Sequence, residues 1–355
     1  MTAAFGRGVL VVGAGLLGTS LGLALRRAGV TVHLTDRDPD TVAAAVARGA
    51  GISAPPGTVD LAVVAVPPAA TGPAVIELLD TGVADYVTDV ASVKVLPARE
   101  VAARAAGAAR YVGGHPMAGR EVSGPGGATV DLFRGRPWVV CPVEGSEPAA
   151  TGLVQSLART VGAQPVTMAA EEHDAAVALV SHAPHLVASL VAARLEHASE
   201  HEVGLAGQGV IDVTRVAAGD PRLWTEILEA NAAAVRDVLD GLRADLDAAL
   251  AALDQTGGEA LAGLLEAGVR GRNRLPGKHG GRPTAYVTVP VSVEDRPGQL
   301  AQLFADAGAA GVNVEDVRIE HVQGIPTGVV EIAVRPGRDD DLARALRGRG
   351  WTVHR

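Results

Sequence analysis

The sequence contains a single cysteine, Cys141, among 355 residues. One cysteine excludes an intrachain disulfide framework and a cysteine-rich zinc site, and it fits a reducing, cytoplasmic setting. Aromatic residues are also scarce, at 3%. With alanine and glycine so plentiful, that skew reads as codon-bias background and carries no function. Basic charge is in deficit: 31 lysines and arginines face 40 acids, a formal net charge of −9. A protein whose main partner is nucleic acid needs a basic surface to meet phosphates, so that class is set aside. Long apolar runs are missing too. No stretch of about 18 uninterrupted apolar residues occurs, which predicts no transmembrane helix and no membrane partner. The first apolar run, 9–25, is broken by glycines at 13, 15, 18 and 22. It also lacks a basic lead-in and a good cleavage site, so no secretory signal is expected there.

What remains is an ordinary soluble composition, 48% apolar and 20% charged. The length suggests two or three domains, each able to bury a core without metal or disulfide staples. The first part, 1–168, alternates strand-like runs with helical stretches. Val9–Val12, Thr31–Thr35, Leu61–Val66, Tyr86–Asp89, Tyr111–Gly113 and Trp138–Cys141 read as strands. Such alternation predicts a mainly parallel sheet covered by helices, an α/β domain. From 169 to 269 the strand signal disappears. Val177, Leu179, Val180, Leu186, Val187, Leu190 and Val191 predict one long, mostly buried helix. Val235, Leu239, Leu242, Leu246 and Leu250 predict another, with core packing as the reason for both stripes. An all-helical domain that is apolar on several faces also suits a dimer interface. Residues 270–283 are basic and rich in glycine and proline, a solvated linker. Residues 284–355 read β-α-β-β-α-β, a ferredoxin-like plan.

Gly13-Ala-Gly15-Leu16-Leu17-Gly18 is G-x-G-x-x-G. It follows a strand and opens a helix, the context that turns a weak pattern into a dinucleotide-binding (Rossmann-type) fingerprint. Gly13 permits the tight turn, Gly15 lets a pyrophosphate approach the backbone, and Gly18 allows close helix–strand packing. Asp36, 18 residues beyond Gly18, can accept the adenosine ribose hydroxyls and repel a 2′-phosphate, favouring NAD over NADP. Arg37 beside it can stack on adenine or meet a phosphate.

A dehydrogenase also needs a base and an anchor for its substrate. Histidine is the usual base because its pKa lies near neutrality. Of the ten histidines, His115 stands out within Gly113-Gly-His115-Pro-Met-Ala-Gly119-Arg-Glu121-Val-Ser-Gly124. Its flanks predict a loop just after a strand, where such sheets bind ligands. Arg120 is a bulky base beside it. His182 and His185 share a helix three residues apart, but no acidic third ligand stands at a matching spacing, so no metal is expected. Pro184 between them predicts a kink. Arg215, in Asp212-Val-Thr-Arg215, can clamp a carboxylate bidentately or form a structural ion pair.

These blocks together resemble the prephenate and arogenate dehydrogenase family of tyrosine biosynthesis. Gly114-His115-Pro-Met-Ala-Gly119 with Glu121 and Ser123-Gly124 is similar to its signature. Thr88-Asp89-Val-Ala-Ser92-Val-Lys94 looks like its strand-end segment. Ser181-His182-x-Pro-His185, Asp212-x-Thr-Arg215 and Trp224 match its helical-domain motifs. The resemblance runs from about residue 8 to 265, and residues 284–355 are similar to an ACT domain with Asp295-Arg-Pro-Gly298 as its first turn.

The resemblance implies NAD-dependent oxidative decarboxylation of prephenate to 4-hydroxyphenylpyruvate by a homodimer. His115 would be the base, with Ser92 holding it and the substrate hydroxyl. Arg215 would clamp a carboxylate, with His182 at the substrate's other polar end. Glu121 would gate with Arg215, and Trp224 would pack over the pocket. Tyrosine would be the effector at the ACT domain. Arogenate as substrate stays open. A β-hydroxyacid dehydrogenase would rely on a helical lysine, and 170–230 contains none. A non-catalytic NAD and amino-acid sensor built from the same parts would bind cofactor without turnover.

Overall fold

The computed structural model describes residues 2–55, 57–104, 106–120, 122–275, 285–321 and 327–354. The chain divides into two compact units, Met1–Ala244 and Asp245–Arg355.

The first unit is built on a seven-stranded sheet. Its strands are β1 (Val9–Val12), β2 (Val32–Thr35), β3 (Val59–Val64), β4 (Ala84–Asp89), β5 (Tyr111–Pro116), β6 (Pro137–Pro142) and β7 (Gln164–Thr167), in the order β2-β1-β3-β4-β5-β6-β7. From β2 through β5 the strands run parallel, and only the β5–β6 pairing is antiparallel. The helices α1 (Leu16–Arg27), α2 (Pro39–Ala47), α3 (Pro68–Thr81), α4 (Val95–Arg104) and α5 (Pro148–Thr160) connect them. Leu61–Val64 are fully buried, as a central parallel strand covered on both faces requires. Punctuation is local. Asp38 caps α2 by accepting the Asp40 amide with Pro39 in the first turn, and Gly82 ends α3 in the left-handed conformation.

Beyond the sheet lies one long helix, Ala170–His197. It comprises α6 (Ala170–Val177), a π turn at Ala178–His182, α7 (Ala183–Ala193) and a closing 3-10 turn. Pro184 has no N–H to continue the ladder, and the wider turn immediately precedes it. This helix is long and apolar enough to cross a membrane by length and composition alone. Serine, histidine and proline interrupt it, so it contains no unbroken apolar run of that length. Then follow α8 (Glu200–Val203), α9 (Gln208–Thr214), α10 (Pro221–Ala230) and α11 (Ala232–Leu253), within which the two units divide.

The expected core role of the helical stripes needs correction. Val177 and Val235 are buried, but Leu179 is 62% exposed and Val180, Leu190 and Val191 are exposed with it. Leu242, Leu246 and Leu250 are exposed likewise. Helical period reports that a face is apolar, not which chain covers it.

The second unit holds α12 (Glu259–Arg272) and a four-stranded antiparallel sheet. Its strands are β8 (Val287–Glu294), β9 (Asp316–His321), β10 (Thr327–Val334) and β11 (Thr352–Val353), ordered β11-β8-β10-β9. With α13 (Gln299–Ala309) and α14 (Asp339–Arg347) the order is βαββαβ, as expected. Val289, Val291 and Val293 alternate inward with Val330, Ile332 and Val334 against Leu303, Leu342 and Leu346. The expected linker begins too early, since 270–272 finish α12. The rest of it from residue 276 lies outside the described residues.

Candidate active site

Because β1, β3, β4 and β5 are parallel, their carboxyl ends share one edge of the sheet. Gly13 follows β1, Ser92 lies just past β4, and His115 is at the end of β5. The fingerprint and the candidate base therefore meet at the edge where open α/β sheets bind ligands.

The three glycines are required for different reasons. Gly13 has φ +102°, and a Cβ on it would lie 2.3 Å from the Ala65 carbonyl. A Cβ on Gly18 would lie 1.8 Å from the Gly13 carbonyl. Packing within the fold accounts for both. Gly15 is different: nothing in the protein lies within 4 Å of where its Cβ would be. The open space over Gly15 faces the start of α1, which has no side-chain cap. The first-turn amides, those of Leu16 and Leu17 among them, have no acceptor within the helix and suit an anion. Asp36 Oδ2 accepts the Ala14 amide at 2.7 Å and Oδ1 accepts the Asp38 amide at 3.0 Å. That fixes the carboxylate beside the turn with acceptor capacity left for hydroxyls. Arg37 is exposed next to it. These residues fit a dinucleotide.

His115 is not on a loop, as its flanks suggested; it is the second-last residue of β5. Pairing with β6 continues through Pro116, so the strand outlasts its glycines. His115 Nδ1 is 2.8 Å from His173 Nε2, and His173 Nδ1 is 2.7 Å from Asp174 Oδ1. Asp174 also accepts the Lys94 amide on Oδ1 (2.8 Å) and the Val95 amide on Oδ2 (2.9 Å). Burial, then the neighbouring His173, Lys94 and His182, hold His115 well below the ordinary histidine pKa. It is neutral at pH 7 and able to take a proton.

Beneath this chain lies a second buried network. Lys94, one of only two lysines, is 1% exposed and ion-paired with Asp89, itself fully buried. Asp89 also accepts the Ala91 amide at 2.8 Å and the Tyr111 hydroxyl at 2.7 Å. It thereby ties the turn carrying Ser92 to β5. Ser92 is half-buried, and the bond holding His115 comes from His173 rather than from Ser92. Cys141 is buried in β6, and burial pushes its thiol up to about 12, far from a nucleophile's range.

His182 ends the π turn, 1% exposed, and burial lowers its pKa to about 4. Its Nδ1 is 3.1 Å from Asn231 Nδ2, which also donates to the Asp174 carbonyl at 2.8 Å. Trp224 stacks on His185 with centroids 3.5 Å apart and meets His182 edge-on at 6.3 Å. Gly219 is pressed against that stack, since a Cβ there would lie 2.6 Å from Trp224 Nε1. Arg215 is exposed on the 3-10 turn Arg215–Ala218 just before it. Arg120 is occupied locally, donating to the Gly127 carbonyl at 3.0 Å. Glu121 lies outside the described residues.

Sequence reasoning passed over His173, Asp174, Asn231 and the Asp89–Lys94–Tyr111 network. A His-Asp pair inside an apolar helix was the available signal. Its partner His115 is 58 positions away.

Comparison with known proteins decides the family. Residues 21–167 match the model described as prephenate dehydrogenase, nucleotide-binding domain, and 169–267 that described as prephenate dehydrogenase, dimerization domain. The sequence is 41% identical to the Streptomyces niveus protein named "Probable prephenate dehydrogenase NovF", over 98% of this chain and 99% of the relative. The chain belongs to the prephenate dehydrogenase family. Among solved structures it is similar to prephenate dehydrogenase from Aquifex aeolicus in complex with hydroxyphenyl propionate and NAD+. That match has 27% identity and a TM-score of 0.67, covering 75% of this chain and 97% of that one. It is also similar to Synechocystis arogenate dehydrogenase, at 28% identity and a TM-score of 0.64, over 75% of this chain and 99% of that one. The dimerization-domain match contains the helix Ala170–His197 with its exposed apolar residues. As a prephenate dehydrogenase family member, the chain is an NAD-dependent oxidoreductase acting on a small molecule.

Proposed function

We propose that this protein oxidises prephenate with NAD and releases carbon dioxide, giving 4-hydroxyphenylpyruvate. The observation that carries the reading is His115: neutral, at the same carboxyl edge of the sheet that carries the Gly15 opening, with Nδ1 engaged and Nε2 left over. Gly13, Gly15, Gly18, the amides of Leu16 and Leu17, and Asp36 hold the dinucleotide, with Arg37 at its adenosine end. When bound, NAD supplies the hydride acceptor. His115 Nε2 takes the proton of the 4-hydroxyl as hydride departs from C4. The ring carboxylate then leaves as carbon dioxide, and its electron pair closes the aromatic ring.

Ser92, past the end of β4, positions the hydroxyl. Arg215 clamps a carboxylate, and Glu121 gates the entrance with it. His182 meets the side-chain end, and Trp224 closes over the pocket. The exposed apolar faces support a homodimer. The βαββαβ sheet of the second unit supports an ACT-type site for tyrosine, the end product, and the single buried cysteine a cytoplasmic setting.

Initial rates with prephenate and arogenate, each with NAD and NADP, test the reading. Prephenate with NAD is expected to give the highest kcat/KM. The similarity to Synechocystis arogenate dehydrogenase favours arogenate as the second reading, and turnover of arogenate alone would establish it. Cofactor binding without turnover of either substrate would establish the sensor. Tyrosine is expected to inhibit, and a titration that moves neither rate nor assembly removes the effector.

A further inference from the structure

We propose that Asp174 and Asn231 act as positioning residues that give His115 and His182 opposite proton placements, one facing the substrate as an acceptor and the other as a donor. The proposal rests on the reading of His115 as the base.

The argument starts at Asp174. Each of its oxygens accepts a backbone amide, Lys94 N on Oδ1 and Val95 N on Oδ2. Toward His173 Nδ1 the carboxylate can only accept, so His173 carries its proton on Nδ1. With that as its single proton, His173 has a lone pair on Nε2. The 2.8 Å contact from that atom to His115 Nδ1 needs one donor, and it has to be His115. With its proton on Nδ1, neutral His115 has a bare Nε2, the form a base requires. A rotated or inverted imidazole would present N–H instead and could not act.

The second branch starts at Asn231. Its contact with the Asp174 carbonyl is 2.8 Å, and a carbonyl needs a donor, which fixes the amide nitrogen there. The same nitrogen has a second hydrogen, and it lies 3.1 Å from His182 Nδ1. His182 therefore accepts on Nδ1 and, being neutral, carries its proton on Nε2. One residue pair in the helical part thus sets a base for the hydroxyl proton and a donor for an anionic or carbonyl oxygen. Asp174 and Asn231 touch neither reacting atom.

The charged and titratable groups facing His115 are His173 from α6, Lys94 from the turn before α4 and His182 from the π turn, with Asp89 paired to Lys94. Swapping His173 for an apolar group removes the acceptor for His115 Nδ1–H without adding charge. Asn231→Asp replaces a donor by an acceptor and so inverts His182.

The test uses the full chain labelled with 15N-histidine and loaded with NAD. The expected spectrum has His115 protonated on Nδ1 only and His182 on Nε2 only. His173→Leu is expected to lower kcat about 100-fold, the scale of a misplaced catalytic group, with little change in KM. His173→Gln, whose amide oxygen can accept, is expected to recover part of the loss. Asn231→Asp is expected to invert the His182 signals and act mainly on KM. A wild-type spectrum with His115 protonated on Nε2 overturns the proposal, as does His173→Leu with unchanged kcat and pH profile. The His173→Leu result leaves the base assignment untouched; that assignment fails separately if His115→Asn keeps full turnover.

Discussion

The two ends of the site are made of different material. Around Gly13–Gly18 the working parts are backbone: a turn, helix amides and a space left open over Gly15. Around His115 they are side chains drawn from the sheet, the long helix and the α10–α11 junction, linked atom to atom. The first end is sensitive to volume, and the second to which nitrogen bears a proton. A methyl group in the wrong place disables one, and an inverted imidazole disables the other.

The largest effect should come from the second end. His115→Asn keeps a polar group of similar size but removes the base. It is expected to lower kcat roughly 10²–10⁴-fold while NAD titration, followed by fluorescence, stays as in the parent. If NAD affinity collapsed together with kcat, the two ends would be one unit and the contrast would be wrong.

The backbone end has its own internal contrast. Gly15→Ala places a methyl in open space at an ordinary φ of −69°. The melting temperature should hold while the Kd for NAD rises about tenfold, roughly 1.4 kcal/mol. Gly18→Ala forces a carbon to 1.8 Å from the Gly13 carbonyl, so stability should fall too, by about 1–3 kcal/mol. An unchanged Kd for NAD in Gly15→Ala would show that the space over Gly15 is not reserved for a ligand.

The same division explains what could be read from the sequence. The cradle is local: six consecutive residues and an acid on the next strand specify it, and the structure places Asp36 against Ala14. The C-terminal strands were equally legible, because Val330, Ile332 and Val334 alternate on a half-buried sheet. β7 (Gln164–Thr167) was not, since four residues including a proline give no alternation. The histidine chain depends on contacts between residues 49 and 58 positions apart. No pattern of spacing encodes that His173 rather than Ser92 holds His115. The exposed Leu179 and Val180 show the same limit, because a stripe does not say whose core it enters.

A smaller effect belongs to Asp36. Asp36→Asn keeps an oxygen for the Ala14 amide but drops the charge that repels a 2′-phosphate. One unit charge at about 4 Å is worth ~1 kcal/mol in water, so the NAD-to-NADP ratio of kcat/KM should fall about fivefold. Unchanged selectivity would shift the preference to Arg37 or to the shape of the turn.

The smallest effect is on stability against pH, and it tests whether the histidine end is held neutral by the fold. His182 falls from its ordinary value of 6.5 to about 4 because burial penalises its charged form. Between those values the unfolded chain binds a proton that the folded chain refuses. The contribution of His182 is therefore complete above about pH 6.5 and is lost as pH falls towards about 4. Urea midpoints measured across that window should drop with acid, and His182→Asn, which cannot titrate, should show a shallower slope. The slope is the quantity to read, because the substitution also alters packing against Trp224 and shifts every midpoint together. A parallel slope in the variant would mean that His182 protonates as easily folded as unfolded, and the acceptor role assigned to its Nδ1 opposite Asn231 would lose its footing.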